Sequence, residues 1–286
     1  MLSPAPLSPT APRRRPTVTL VLLLACALGF GWVSSKQATA RPAVDRAVER
    51  VEKAIVAAPM ARLSPSDVVG LPDRWREELG DVTEESGPRD PELSAAVAEL
   101  RDRVHELPTW RFGWIPTMKS PAGWLTYLLV HEQWFHLLVN LTLLGLLGAT
   151  LEIRRSPRLV ALIFVFSGAA GAWTHAALFS DSTVPLLGAS ASVAGVLGGL
   201  LASRPGWTLP FVVQTPRGRA RPPARLEIPL LAILCIWVGL EGVALTERQS
   251  APIALPAHLG GFVTGVVLAW FSRRTRGQSP EGPAPT

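Results

Sequence analysis

The chain has 286 residues, 48% of them hydrophobic and 17% charged, and carries a formal net charge of +6. Ordinary soluble domains hold roughly 25% charged residues, and here the charges are clumped, so long stretches are purer in hydrocarbon than the average states. The basic excess invites a nucleic-acid reading, but no basic face interleaved with aromatic residues exists to carry it. Cys26 and Cys235 both fall in apolar runs and supply neither a disulfide framework nor a metal cluster.

Residues 1–16 are rich in Pro, Ser and Arg and read as a disordered cytoplasmic tail. Residues 17–34 are the first apolar run. Arg13 to Arg15 before it and Ala38-Thr39-Ala40 after it also suit a signal peptide, with a retained signal-anchor as the preferred reading. Residues 35–117 form a soluble helical loop on the outer side of the membrane. In it, Val44, Val48, Val51 and Ile55 recur at helical spacing, as do Leu93, Val97, Leu100, Val104 and Leu107. Asp90-Pro91-Glu92 suits the start of the second helix. The two stripes could pair as a hairpin or lie on the membrane surface. Residues 118–272 hold five more apolar runs, at 123–150, 158–179, 184–203, 226–245 and 252–271, and 273–286 form a second cytoplasmic tail. Each run approaches the roughly 20 residues that cross about 30 Å of hydrocarbon as helix. The expected fold is an all-α, polytopic bundle of six membrane helices.

Charge placement supports this topology. Arg154, Arg155 and Arg158 separate the second and third runs, Arg217, Arg219, Arg221 and Arg225 the fourth and fifth, and Arg273, Arg274 and Arg276 follow the sixth. The opposite loops hold Asp181, and Glu247 with Arg248. This is the positive-inside pattern with both termini in the cytoplasm.

Against this background a few polar residues stand out. His131, His136 and Asn140 lie in the second run, Ser190 in the fourth and His258 in the sixth. Ionisable groups at such depth are costly and mark sites by default. These three runs cross the membrane in the same direction. Ser190 and His258 each lie six residues past the start of their run, or roughly 9 Å below the outer boundary. Ala191, Gly195 and Gly199 recur every four residues, as do Gly261 and Gly265, so the fourth and sixth helices can touch backbone to backbone. That contact would set Ser190 beside His258.

A serine hydroxyl becomes nucleophilic when a base takes its proton, and His258 is the candidate base. His136, the Asn140 amide and the backbone N–H of Ser190 are candidate donors to an oxyanion. No carboxylate neighbours His258 in sequence, so a dyad is expected. His131-Glu132 with His136 superficially suggests a zinc helix, but histidines at i and i+5 lie about 140° apart around a helix and cannot grip one ion. No metal and no cofactor are expected. His175 is expected at the membrane interface and His105 in solvent.

At these residues the chain resembles the rhomboid intramembrane serine proteases of the bacterial six-helix type. The resemblance runs from about Phe112 to Trp270. His131, His136, Asn140 and Glu152 match one family pattern, Gly188-Ala189-Ser190 the G-x-S motif, and Ala257, His258, Gly261 and Gly265 the A-H-x-x-G-x-x-x-G motif. It implies Ser190 as nucleophile, His258 as base, and His136 with Asn140 at the oxyanion. His131 would be structural or organise water, and Glu152 would hold the cytoplasmic end of the second span. The substrate would be a single-span or polytopic membrane protein, cut near the outer end of a helix in the cell inner membrane, at a site open to the extracytoplasmic side. Three departures stand out. Ala191 replaces the usual Gly after the serine, Ala194 replaces an aromatic that often packs on the catalytic histidine, and Ala122-Gly123 stand where many members have Trp-Arg. Ala191 and Ala194 motivate the alternative of a weak or inactive rhomboid-like protein that binds membrane helices. The loop 35–117 matches nothing in the family pattern.

Overall fold

α1 runs unbroken from Thr17 to Ala57, 41 residues, about 60 Å of helix at 1.5 Å per residue. In the computed structural model, which describes residues 15–83, 87–118, 122–203, 208–213, 224–246 and 255–274, this rod joins two packed bodies. Outside the described residues lie most of both expected tails, Glu84-Glu85-Ser86, and the loop charges Arg217, Arg219, Arg221, Glu247, Arg248 and Arg276. The run expected to end at 34 and the stripe expected to begin at Val44 are one helix, because between them only Pro42 disfavours helix and the rod continues through it. The first half presents Leu20, Val21, Leu24 and Leu28 outward, as a lipid-facing helix does.

The second half of α1 buries Val44, Ala47 and Val51 against α3 (Pro91–His105), which contributes Leu93, Val97, Leu100 and Val104. Of the two alternatives for these stripes, the pair is the one formed. Asp90 caps α3 by accepting from Leu93 N at 2.8 Å, and Pro91 occupies the first turn, where its missing N–H costs nothing. α2 (Asp73–Glu78) and α4 (Pro108–Phe112) close this lobe with Trp75 and Trp110. His105, expected in solvent, is half-buried. Its Nε2–H donates to the Gly70 carbonyl at 2.8 Å, and its ring stacks on Trp110 with centroids 5.1 Å apart.

The residues expected as one span at 123–150 divide. α5 (Gly123–Thr126) and a 3₁₀ turn at Tyr127–Leu129 come first. An extended connection then leads into α6 (Trp134–Leu143), a π-helical turn at Leu144–Gly148, and α7 (Ala149–Arg154), which together form one span. α8 (Pro157–Leu178) starts on Ser156, whose hydroxyl accepts from Leu159 N at 3.2 Å. α9 (Ser190–Ser203) is the central post, with every residue from Ala191 to Leu200 buried, as befits a helix that is apolar all round. α10 (Leu230–Thr246) and α11 (Leu255–Arg274) complete the bundle. The connection between α9 and α10 adds what an all-α reading omits, an antiparallel ribbon of β1 (Thr208–Val213) and β2 (Ala224–Pro229) with Thr208 opposite Pro229. The β-branched and aromatic residues of Thr208-Leu209-Pro210-Phe211-Val212-Val213 favour that pairing.

The small-residue stripes meet. A methyl on Gly261 would overlap the Ala191 carbonyl oxygen, and one on Gly265 the Gly195 carbonyl oxygen. Backbone approach this close leaves no room for a side chain. Gly265→Leu is therefore expected to destabilise the bundle by about 3 kcal/mol or more, read as a lower Tm in detergent, whereas Val263→Leu on the exposed face of the same helix should leave Tm unchanged. At the far end, Arg273 Nη1 donates to the Ala202 carbonyl at 2.7 Å and Nη2 to that of Ser203, a cation on the C-terminal carbonyls of α9.

Glu152 joins α1 to this bundle. Its carboxylate, 1% exposed, accepts from Thr17 Oγ1 at 3.3 Å, Val18 N at 2.9 Å, and Thr19 N and Oγ1 at 2.8 Å each. The first helix has no side-chain cap of its own at Pro16. A carboxylate from another helix thus satisfies its first N–H groups, where the helix dipole also favours negative charge.

Candidate active site

The segment before α9 determines the site. Pro185 and Gly188, the latter with φ of +98°, stop the helix from starting at Val184, so α9 begins at Ser190 itself. The expected helical descent of 9 Å above Ser190 is therefore replaced by an extended strand-like segment. Trp114 N donates to Leu186 O at 3.1 Å and Leu186 N returns to Trp114 O at 2.8 Å. Gly188 N donates to Tyr127 O at 2.9 Å, and Ala189 N reaches His131 Nε2 at 3.5 Å. His131 is fully buried, so it acts on the loop that carries Ser190.

Ser190 Oγ and His258 Nε2 are 2.7 Å apart. His258 is the fourth residue of α11, and the close approach of Gly261 to Ala191 brings its ring level with the start of α9. With Nε2 unprotonated, the serine hydroxyl donates to it. The Ser190 N–H lies in the first turn of α9, whose N–H groups have no intrahelical acceptor.

His136 flanks the same loop. A Cβ at position 188 would come within 2.7 Å of its Cε1, so Gly188 is needed for contact as well as for its backbone angle. Its ring also meets that of His131 edge to face, with centroids 5.3 Å apart. Asn140 is 4% exposed, and its amide donates to the His136 carbonyl at 3.0 Å, one turn back on α6. One of its two amide hydrogens is therefore engaged. His175, expected at the interface, is fully buried in α8 with its ring 5.5 Å from Phe179.

Two contributors carried no sequence signal. Trp237 of α10 packs edge to face on His258, with centroids 5.5 Å apart, and so supplies from a different helix the ring that Ala194 lacks. Tyr127, the chain's sole tyrosine, donates its hydroxyl to the Gly168 carbonyl of α8 at 2.8 Å while its own carbonyl holds Gly188. The Ala191 methyl faces Gly171 of α8, where a Cβ would come within 2.6 Å of it. It packs between helices.

A rhomboid domain model matches residues 119–275, more than half of the chain. The chain belongs to the rhomboid family. It is 27% identical over 159 residues to Rhomboid-related protein 2 of Mus musculus, a match that covers 53% of this chain and 49% of that protein. The match thus spans about half the length of this curated relative. This rhomboid is a multi-pass membrane protein of all-α core, in which α6 to α11 lie inside the family match and α1 with its lobe precedes it.

Proposed function

We propose that this rhomboid is an intramembrane serine endopeptidase that cuts transmembrane helices near their outer ends. The 2.7 Å contact between Ser190 Oγ and His258 Nε2 carries this reading, since it is within the reach a nucleophile and its base require. Ser190 Oγ attacks the scissile carbonyl carbon as His258 Nε2 takes its proton. The carbonyl oxygen becomes an oxyanion facing the Ser190 N–H, with His136 and the remaining Asn140 hydrogen as further donors. His258 then gives its proton to the leaving amine, and water, activated by the same imidazole, releases the acyl group from Ser190. The dipole of α9, with its positive end at Ser190, favours the developing charge. The basic clusters support an orientation with both termini in the cytoplasm and the site open to the extracytoplasmic side. Arg154, Arg155, Arg158 and Arg273 gather at the bundle end remote from Ser190.

Two contacts support the catalytic reading over a non-catalytic helix binder. The Ala191 methyl sits against Gly171, and Trp237 buttresses His258 in place of residue 194. The deciding test uses the full chain in liposomes with a labelled single-span substrate and a fluorophosphonate probe. Cleavage near the outer end of the helix together with labelling of Ser190 is expected. Binding of the substrate without cleavage or labelling would establish the binder instead. In the same assay, Trp237→Ala should lower kcat about tenfold, and Trp237→Phe should restore most of it, as loosened support of a catalytic base predicts.

A further inference from the structure

The lobe and the bundle enclose a cleft of about 440 Å³ that the catalytic reading does not use. One wall is α1, through Gln37, Arg41 and Asp45, and the floor is apolar, with Val44, Trp75 and Trp110 buried. From the bundle, Glu132, Val184, Pro185 and Leu187 complete the lining. Three features point to its occupant. First, the cleft shares a wall with the catalytic loop, because Leu187 lies three residues before Ser190 and Glu132 adjoins His131. Three residues of extended chain span about 10 Å, so this wall is within a few residues' reach of a substrate held at Ser190. Second, the cleft lies beyond the lipid-facing half of α1, since Gln37 and Arg41 follow Val33 by one and two turns. It therefore opens to water. Third, its lining is that of a peptide site, with an apolar floor to take an anchor side chain and exposed charges at the rim. The rim holds two carboxylates, Asp45 and Glu132, against one guanidinium, Arg41, which shares a helix face with Asp45. That balance favours a basic residue.

We infer that this cleft is a second substrate-binding site, which receives the extracytoplasmic juxtamembrane segment of the cleaved protein through one apolar side chain and a neighbouring lysine or arginine. The inference rests on the protease reading for its substrate. Its walls from α1 to α4 precede the matched rhomboid domain, so most of the site belongs to this chain's own lobe.

The test has two arms. In the first, the full chain carrying Ser190→Ala is reconstituted with a single-span helix whose outer segment bears a photo-cross-linking side chain at successive positions. Cross-links to residues 37–45 of α1 or to Trp110 are expected, and cross-links confined to α6 to α11 would overturn the inference. In the second, the active chain with Asp45→Lys and Glu132→Lys is assayed on two substrates that differ in carrying lysine or glutamate in that segment. Both positions are exposed, so the fold should persist. KM should rise roughly three- to tenfold for the lysine substrate and fall for the glutamate one, with kcat and fluorophosphonate labelling unchanged. Equal KM shifts for both substrates would overturn the inference. If the unmodified chain neither cuts nor labels, the protease reading fails and the cross-links alone decide whether the cleft binds the segment.

Discussion

Ser190→Ala is expected to abolish cleavage of a reconstituted single-span substrate, by about ten-thousandfold or more, and His258→Ala to cost nearly as much. The double variant should be no worse than either alone, because the hydroxyl and the imidazole 2.7 Å away act as one unit. A serine without its base is a poor nucleophile, and the base without the serine has nothing to activate. Additive losses would show two independent contributions and break the dyad reading. Wild-type rates in Ser190→Ala would end it. A smaller loss, about a hundredfold, is expected for His136→Ala as an oxyanion donor. Asn140→Ala should cost less, since one of its amide hydrogens already serves the His136 carbonyl. Gel-based cleavage with substrate-binding controls separates these grades.

The sequence makes legible whatever depends on composition against depth. A serine and histidines in apolar runs, and glycines at four-residue spacing, are local signals with physical causes. The pairs they imply, Ser190 with His258 and Gly261 with Ala191, are in contact. Helix starts are less legible, because hydropathy reports which residues avoid water and says little about backbone direction. Val184 to Ala189 is apolar enough to extend a span, yet Gly188 takes a positive φ and the helix waits for Ser190. Residues 123–150 likewise read as one run, although the chain turns at Tyr127–Leu129 before α6 begins. Direction of a side chain is equally hidden. Ala191 stands out in sequence only as a replacement for Gly, and packing shows its methyl aimed at Gly171. Trp237 looks like any aromatic in a membrane helix until α10 is set beside α11. The Trp114–Leu186 bridge joins residues far apart in sequence, which no periodicity reveals.

Glu152→Ala should lower stability by about 3 kcal/mol or more, since it strips a buried carboxylate from hydrogen bonds to Val18 N and to Thr19 N and Oγ1 at 2.8 to 2.9 Å. Of the orphaned donors at the foot of α1, the N–H and hydroxyl of Thr19 are buried, so solvent cannot replace the acceptor they lose. Glu152→Gln should recover part of the loss, because its one amide oxygen can still accept while its NH₂ meets donors. Neither change touches the dyad, so fluorophosphonate labelling at low temperature should survive while Tm falls. The same rod carries Val44, Ala47 and Val51 into the core of the lobe. Loosening its foot should therefore be felt at its other end, as faster limited proteolysis within residues 58–107. If Tm falls while the lobe stays equally protected, α1 does not act as a single rigid strut, and the lobe holds its place over the site through the Trp114–Leu186 bridge instead.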